Sequence, residues 1–183
     1  MTTPPNGSVL LAEPFLEDEN FKRSVVLLCQ HVPEEGTFGL VLNQPSSLLL
    51  ADVVEGIYGD FPLYIGGPVQ QNTLHYIHLL GDVIEHSISL GNGLFWAGNF
   101  EQIKALINLG QVKANEVRFF LGYAGWSDGQ LRDELEQKSW IVGKTTPDTI
   151  FSTNEPTLWQ VILKQMGGTY KQFAYYPSDP KLN

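Results

Sequence analysis

The sequence has few cysteines, few basic residues and no long apolar run, and each shortage argues against a class of protein. Cys29 is the single cysteine among 183 residues, so no disulfide can form within the chain. It ends the apolar run Val25-Val26-Leu27-Leu28-Cys29, which indicates a buried small side chain rather than a nucleophile. No stretch approaches the roughly 18 apolar residues of a membrane span. The N-terminus also lacks the basic start of a secretory signal, so we expect a cytoplasmic protein.

Basic residues are outnumbered by acidic ones. The chain has 11 Lys and Arg against 20 Asp and Glu, which leaves 20 − 11 = 9 net negative charges. Such a chain repels the phosphate backbone that dominates the affinity of proteins for nucleic acids. Lys22-Arg23 is the one adjacent basic pair, so the sequence contains no basic patch that could reverse this balance. The composition therefore disfavours direct binding to nucleic acid.

The distribution of apolar residues predicts one α+β domain over 1–183. With 43% hydrophobic residues and no repeat or linker, the chain can form a single core. A hairpin is indicated at Gly91-Asn92-Gly93, because Asn and Gly tolerate the positive φ of tight turns. Because several strands precede the first long helix, a regularly alternating α/β fold is disfavoured. The predicted strands cover 9–12, 25–29, 38–42, 63–65, 74–79, 88–90, 94–96 and 116–123.

Four helices are predicted from capping residues and apolar stripes. Ser47 begins a short one that ends at Gly56, and Asn99 with Gln102 forms a capping box for a second that stops at Gly110. Ser127 with Gln130 forms another box before a helix that carries Leu131 and Leu135. Asn154 caps the last helix, which Gly167-Gly168 ends, and prolines predict an extended tail over 175–183.

The segment Gly125-Trp126-Ser127-Asp128-Gly129 matches the nucleophile-elbow pattern between a predicted strand and a predicted helix. It makes Ser127 a candidate catalytic nucleophile. Hydrolases with this motif place the histidine base after the serine, although a triad is defined by geometry and can follow another order. The alternative is that Ser127 caps the helix and the glycines shape the turn. All four histidines precede the serine in this chain: His31, His75, His78 and His86.

The sequence also contains residues that could form a metal site or an anion site. His75 and His78 are three residues apart on a predicted strand and therefore point to opposite faces, so we predict no metal site and no cofactor. Gly66-Gly67-Pro68-Val69 and Gly122-Tyr123-Ala124-Gly125 are glycine-rich turns whose N–H groups could bind an anion. The same glycines could instead serve only tight turns or close strand crossings.

These motifs, taken in order along the chain, resemble those of the AlgH/YqgE family of small bacterial proteins. The resemblance spans nearly the whole sequence. The matching segments are Leu11-Ala12-Glu13-Pro14, Phe21-Lys22-Arg23-Ser24-Val25-Val26, Gly39-Leu40-Val41-Leu42-Asn43-Gln44-Pro45, Tyr64-Ile65-Gly66-Gly67-Pro68-Val69, Gly122-Tyr123-Ala124-Gly125-Trp126-Ser127, Gly129-Gln130-Leu131 and Pro180-Lys181-Leu182-Asn183. The family resemblance implies an α+β fold with a mixed, mostly antiparallel, partly barrel-like sheet and flanking helices. Family members are often labelled transcriptional regulators, and no catalytic residue carries over to this chain.

The leading hypothesis is a non-enzymatic cytoplasmic protein that regulates through a protein partner or a small anionic ligand. The alternatives are a serine hydrolase that uses Ser127 and a DNA-binding transcriptional regulator. We expect any ligand site to form where two glycine turns meet, and its candidate residues are His31, Asn43, Gly66, Gly67, Gly125, Trp126 and Gln130.

Overall fold

The computed structural model describes residues 4–177, which form ten strands, five α-helices and one 3₁₀ turn over Leu50–Asp52. The strands are β1 Val9–Ala12, β2 Val25–Val32, β3 Gly36–Val41, β4 Pro45–Leu49, β5 Pro62–Ile65, β6 Val69–His78, β7 Ile88–Gly91, β8 Leu94–Trp96, β9 Val117–Trp126 and β10 Trp140–Gly143. The helices are α1 Phe100–Asn108, α2 Gln130–Glu136, α3 Pro147–Ser152, α4 Glu155–Met166 and α5 Gly168–Phe173.

All ten strands belong to one sheet whose main path runs β10-β1-β2-β3-β9-β6-β8-β7. Strand β5 pairs in parallel with β9 and antiparallel with β4. Every other pairing in the sheet is antiparallel. Within residues 4–177 the sheet does not close into a barrel. The predicted α+β class with a mostly antiparallel sheet is therefore confirmed.

Strand β9 joins the two halves of the sheet. Its residues 117–123 pair with β5 and β6, and its last residues pair with β3, where Phe38 lies opposite Gly125. The connection between β5 and β6 crosses β9 at close range. Gly66 N donates to Leu121 O at 2.8 Å, and Gly66 O accepts from Val41 N at 2.8 Å. Gly66 thus connects β3 to β9 through its own backbone.

The helices cover different parts of the sheet because each has its own apolar stripe. Helix α4 buries Leu158, Trp159, Ile162 and Leu163 in the cluster that contains β1 and β2 residues such as Leu11 and Leu27. Helix α1 buries Ile103 and Ile107 beside Phe119, and α2 buries Leu131 and Leu135 beside Trp126. Cys29 is fully buried as predicted, and burial raises the pKa of its thiol.

The predicted helix over 47–56 is wrong. Residues 45–49 form β4, which pairs with β5, and only one 3₁₀ turn follows. The hydroxyl of Ser46 donates to Leu63 O at 2.8 Å, and Leu50 is fully buried in the second cluster. Pairing with a neighbouring strand therefore outweighs the helical spacing of the leucines.

Several boundaries also differ from the prediction. Asn99 does cap α1, but the Gln102 side chain accepts from Glu85 N instead of completing the box. Helix α2 begins after Gly129 rather than Ser127. Residues 175 and 176 form a turn through backbone bonds to 172 and 173, and the rest of the predicted extended tail, 178–183, lies outside the described residues. Strand β10 and helices α3 and α5 are additional elements.

Candidate functional site

A groove of about 560 Å³ opens where β3 and the end of β9 lie side by side, and we call it the β3–β9 groove. Thr37 lies opposite Trp126 and Phe38 opposite Gly125 in the strand register. Gly125 is exposed. The groove is lined by Gln30, Val32, Glu35, Gly36, Thr37, Phe38, Val69, Tyr123, Gly125, Trp126 and Ser127.

One side of the β3–β9 groove is aromatic. Phe38 and Tyr123 stack with ring centroids 4.6 Å apart, and both rings are partly buried. Trp96 and His75 extend this cluster, with ring centroids 5.0 and 5.1 Å from that of Phe38. Burial lowers the pKa of His75 and so favours its neutral imidazole. The aromatic side therefore offers uncharged ring surface.

The other side of the groove is polar. Gln30, Glu35 and Ser127 line it. Thr37 alternates with Phe38 along β3, so its hydroxyl lies on the opposite face of the strand, where its Oγ1 is 2.9 Å from His31 Nδ1. A second, smaller cavity of about 260 Å³ adjoins the groove and shares Thr37 and Ser127 with it. His31, Glu34, Asp128 and Arg132 also line this smaller cavity. Thr37 and Ser127 thus lie between an aromatic groove and a charged cavity.

The hydroxyl of Ser127 is engaged with an amide rather than an imidazole. Gln130 Oε1 accepts from Ser127 N at 3.0 Å and from Ser127 Oγ at 3.2 Å. An amide oxygen cannot act as the general base that a serine nucleophile needs. Among the described residues no imidazole is hydrogen-bonded to Ser127, so the hydrolase alternative finds no support in this geometry.

Glu134 organises this corner, although the sequence did not identify it. Its Oε2 accepts from the indole nitrogens of Trp126 at 2.8 Å and Trp140 at 2.7 Å, and its Oε1 accepts from Gln130 Nε2 at 2.9 Å. The available signal was the four-residue spacing of Gln130 and Glu134 on one helix. The partnership with Trp140 depends on β10 and could not be inferred from spacing.

The predicted site residues lie in three places: around the groove, at the crossing of β9 by the β5–β6 connection, and in a separate cavity. Gly125 and Trp126 line the groove, and His31 and Gln130 lie next to it around Ser127. Gly66 and Gly67 are buried where the β5–β6 connection crosses β9. The two glycine turns therefore do meet, but they meet through backbone packing.

Asn43 belongs to a different place. Its side chain accepts from Val25 N at 2.8 Å and donates to Arg23 O at 3.0 Å, which ties the start of β2 to the end of β3. It lines a separate small cavity together with Lys22 and Gln44. Asn43 therefore lies apart from the groove.

Two further features bear on function. No three His, Cys, Asp or Glu side chains cluster closely enough to hold a metal ion within residues 4–177. The same part of the chain includes no helix that is both long and apolar enough to cross a membrane.

The chain is similar to a known protein family over most of its length. The model of a family described as AlgH-like matches residues 9–171. A UPF0301 protein of Chlorobaculum tepidum is 44% identical over 178 residues, which cover 97% of this chain and 95% of the relative. A UPF0301 protein of Cytophaga hutchinsonii is 41% identical and covers 97% and 98% of the two chains.

Two solved structures share the fold. A crystal structure of a Corynebacterium diphtheriae protein has a TM-score of 0.77 at 26% identity, covering 96% of this chain and 94% of that one. The solution structure of the AlgH protein from Pseudomonas aeruginosa has a TM-score of 0.73 at 27% identity, covering 97% and 98%. The names of these relatives state no activity. The chain belongs to the AlgH-like family.

Proposed function

We propose that this protein is a non-enzymatic cytoplasmic binding protein that holds a small planar ligand in the β3–β9 groove and regulates through it. The observation that carries the proposal is the stacked pair of Phe38 and Tyr123 beside the exposed backbone of Gly125. Ligand sites are commonly concave and aromatic, with a few polar groups that fix orientation. Gln30 and Ser127 supply such polar groups here.

Stacking on the aromatic side supplies the binding energy in this proposal. A ring packed against Phe38 and Tyr123 gains roughly 0.5–1.5 kcal/mol beyond the burial of its surface. The side chains of Gln30 and Ser127 then distinguish ligands by their hydrogen-bonding groups. Chemistry on the ligand is not part of the proposal, because Ser127 hydrogen-bonds to an amide oxygen.

The surrounding charges favour an uncharged ligand over the small anion that the sequence suggested. Glu35 lines the groove, and Glu34 and Asp128 line the adjoining cavity. Arg132 is a cation in that cavity, and its Nε lies 3.7 Å from Asp133 Oδ1. An anion would meet more like charge than opposite charge there. The same acidity argues against a DNA-binding regulator.

Filling the groove at Gly125 should abolish ligand binding without unfolding the protein. A Cβ added there would lie 3.2 Å from Tyr123 Cε2 and 4.0 Å from Val69 Cγ2, so a Gly125→Val side chain enters the groove. A thermal-shift screen of nucleosides and indoles, with aromatic carboxylates as the anionic comparison, provides the measurement. At about 100 times Kd a true ligand stabilises the wild type by about 2.7 kcal/mol, and Gly125→Val should lose this gain.

Gly110→Ala is the control for a general loss of stability. Gly110 has φ +68° and no atom within 4 Å of an added Cβ, so this substitution strains the backbone at a position that does not line the groove. The control should retain the ligand-induced shift. Equal shifts in wild type and Gly125→Val, or no uncharged ring ligand in the screen, would contradict the proposal.

A further inference from the structure

Strand β10 lies at the opposite end of the sheet path from β7, and its free edge forms a second surface, separate from the β3–β9 groove. Strand β10 is a terminal strand, and β1 is its one sheet partner among residues 4–177. An edge strand of this kind presents backbone N–H and C=O groups that can pair with another chain. Proteins usually cover or charge such an edge.

The hydrogen bonds identify which backbone groups of β10 point outward. Glu13 N donates to Ser139 O at 3.0 Å, and in the antiparallel register the bonded pairs then recur at Leu11 with Ile141 and at Val9 with Gly143. Ala12 N donates instead to Ser24 O, on the β2 side. The N–H and C=O of Val142 therefore point away from β1, toward the free edge.

An apolar groove of about 890 Å³ lies along this edge, and we call it the β10 groove. Its walls come from the segment after β1, from the end of α2 and from α5. Three of its large apolar side chains are well exposed: Phe15 at 41%, Val142 at 42% and Tyr170 at 40%. Exposed apolar side chains gathered beside free backbone groups are typical of a surface that accepts an added strand.

The charge beside the β10 groove determines what can bind there. Phe15 and Leu16, in one wall, are flanked by Glu13 and Glu17, and Asp18 and Glu19 follow them. Lys138 is the one cation among the described residues that line the groove. A second copy of this chain, with net charge −9, would bring two such acidic segments together. An extended segment with basic residues would instead be attracted.

We infer that β10 accepts an extended segment of a protein partner, in which apolar residues alternate with lysine or arginine, as an added antiparallel or parallel strand. The outward N–H and C=O of Val142 pair with the segment's backbone. Its apolar side chains pack on Phe15 and Tyr170, and its basic side chains face Glu17 and its acidic neighbours.

The test uses two synthetic peptides of about eight residues, the upper range of common strand lengths. One alternates lysine with valine, and the other replaces every lysine with glutamate. Calorimetric titration of the full chain should detect binding of the lysine peptide but not of the glutamate peptide. The affinity for the lysine peptide should fall as the salt concentration rises from about 0.05 to 0.5 M. No binding of the lysine peptide, or equal binding of both peptides, overturns the inference.

Val142→Pro removes the outward donor while leaving the bonds between β1 and β10 in place, and proline is tolerated at such edge positions. It should weaken binding of the lysine peptide by about tenfold or more, whereas Val142→Ile, which keeps both the N–H and an apolar side chain, should weaken it far less. Circular dichroism checks that each variant is folded. If Val142→Pro does not fold, Tyr170→Ser provides the test instead. It truncates a side chain of α5 that lines the β10 groove, and it should weaken binding of the lysine peptide about tenfold. Unchanged affinity in the folded variant overturns the inference.

Discussion

Replacing Gly67 with alanine is expected to lower the free energy of unfolding by about 3 kcal/mol or more. Gly67 has φ +154°, and an added Cβ would overlap the carbonyl carbon and oxygen of Tyr123 and the nitrogen of Ala124. These are backbone atoms of β9, the strand that joins both halves of the sheet, so they cannot move aside cheaply. Urea unfolding followed by circular dichroism measures the loss.

Gly93→Ala separates this clash from the strain of a positive φ. Gly93 has φ +78° in the β7–β8 hairpin, and an added Cβ meets nothing within 4 Å. Its substitution should cost only about 1–2 kcal/mol, the penalty of a left-handed conformation. Equal losses for the two variants would mean that the approach of the β5–β6 connection to β9 does not require glycine at position 67.

Replacing Arg118 with methionine is expected to cost about 3 kcal/mol or more, because two buried carbonyls lose charged donors. Arg118 is 6% exposed, and its guanidinium donates to Leu42 O at 2.9 Å and Ile150 O at 3.0 Å. It also lies 4.4 Å from the centroid of the Tyr64 ring and 3.9 Å from Glu155 Oε1. Methionine fills similar space but leaves both carbonyls without these donors.

The pH dependence of this loss has a definite sign. Burial favours the protonated form of Glu155, but the hydrogen bond from Tyr64 and the charge of Arg118 together hold its pKa below the ordinary value. The resulting stability is present at neutral pH and is lost as the pH falls through that lowered pKa. The difference between wild type and Arg118→Met should therefore narrow in acid.

Two other arginine variants test whether the loss of stability is specific to the buried guanidinium of Arg118. Arg118→Lys should be intermediate, because a single ammonium cannot reproduce the fork that bonds Leu42 and Ile150 together. Arg132→Met, at an exposed arginine on α2, should change stability by no more than about 0.5 kcal/mol. A loss at Arg118 no larger than that at Arg132 would rule out a structural role for the buried guanidinium.

Local patterns predicted most strands but not how they are joined. The hairpin at 91–93 follows from its Asn-Gly chemistry, and Leu131 and Leu135 do share the buried face of α2. The prediction for segment 47–56 was wrong because its leucine spacing is compatible with a helix, and the local sequence does not show that β5 pairs with residues 45–49. The need for glycine at 66 and 67 comes from residues more than fifty positions away, so no local pattern reveals it.

The candidate site was predictable only in part, for the same reason. The motif at 125–129 drew attention to Ser127 and its neighbours, which do line a groove. The aromatic wall combines Phe38 on β3 with Tyr123 on β9, and strand pairing alone brings them together. Glu134 likewise depends on Trp140, which lies on a strand that the sequence pattern did not predict.

The most direct test of binding without chemistry is the hydrolysis of a panel of esters and amides by wild type and Ser127→Ala. Ser127 Oγ hydrogen-bonds to Gln130 Oε1, an amide oxygen that cannot act as a general base. Both proteins should therefore show the same background rate of hydrolysis. A wild-type turnover that drops by about a thousandfold or more in a folded Ser127→Ala variant would identify a serine nucleophile and contradict a purely binding role.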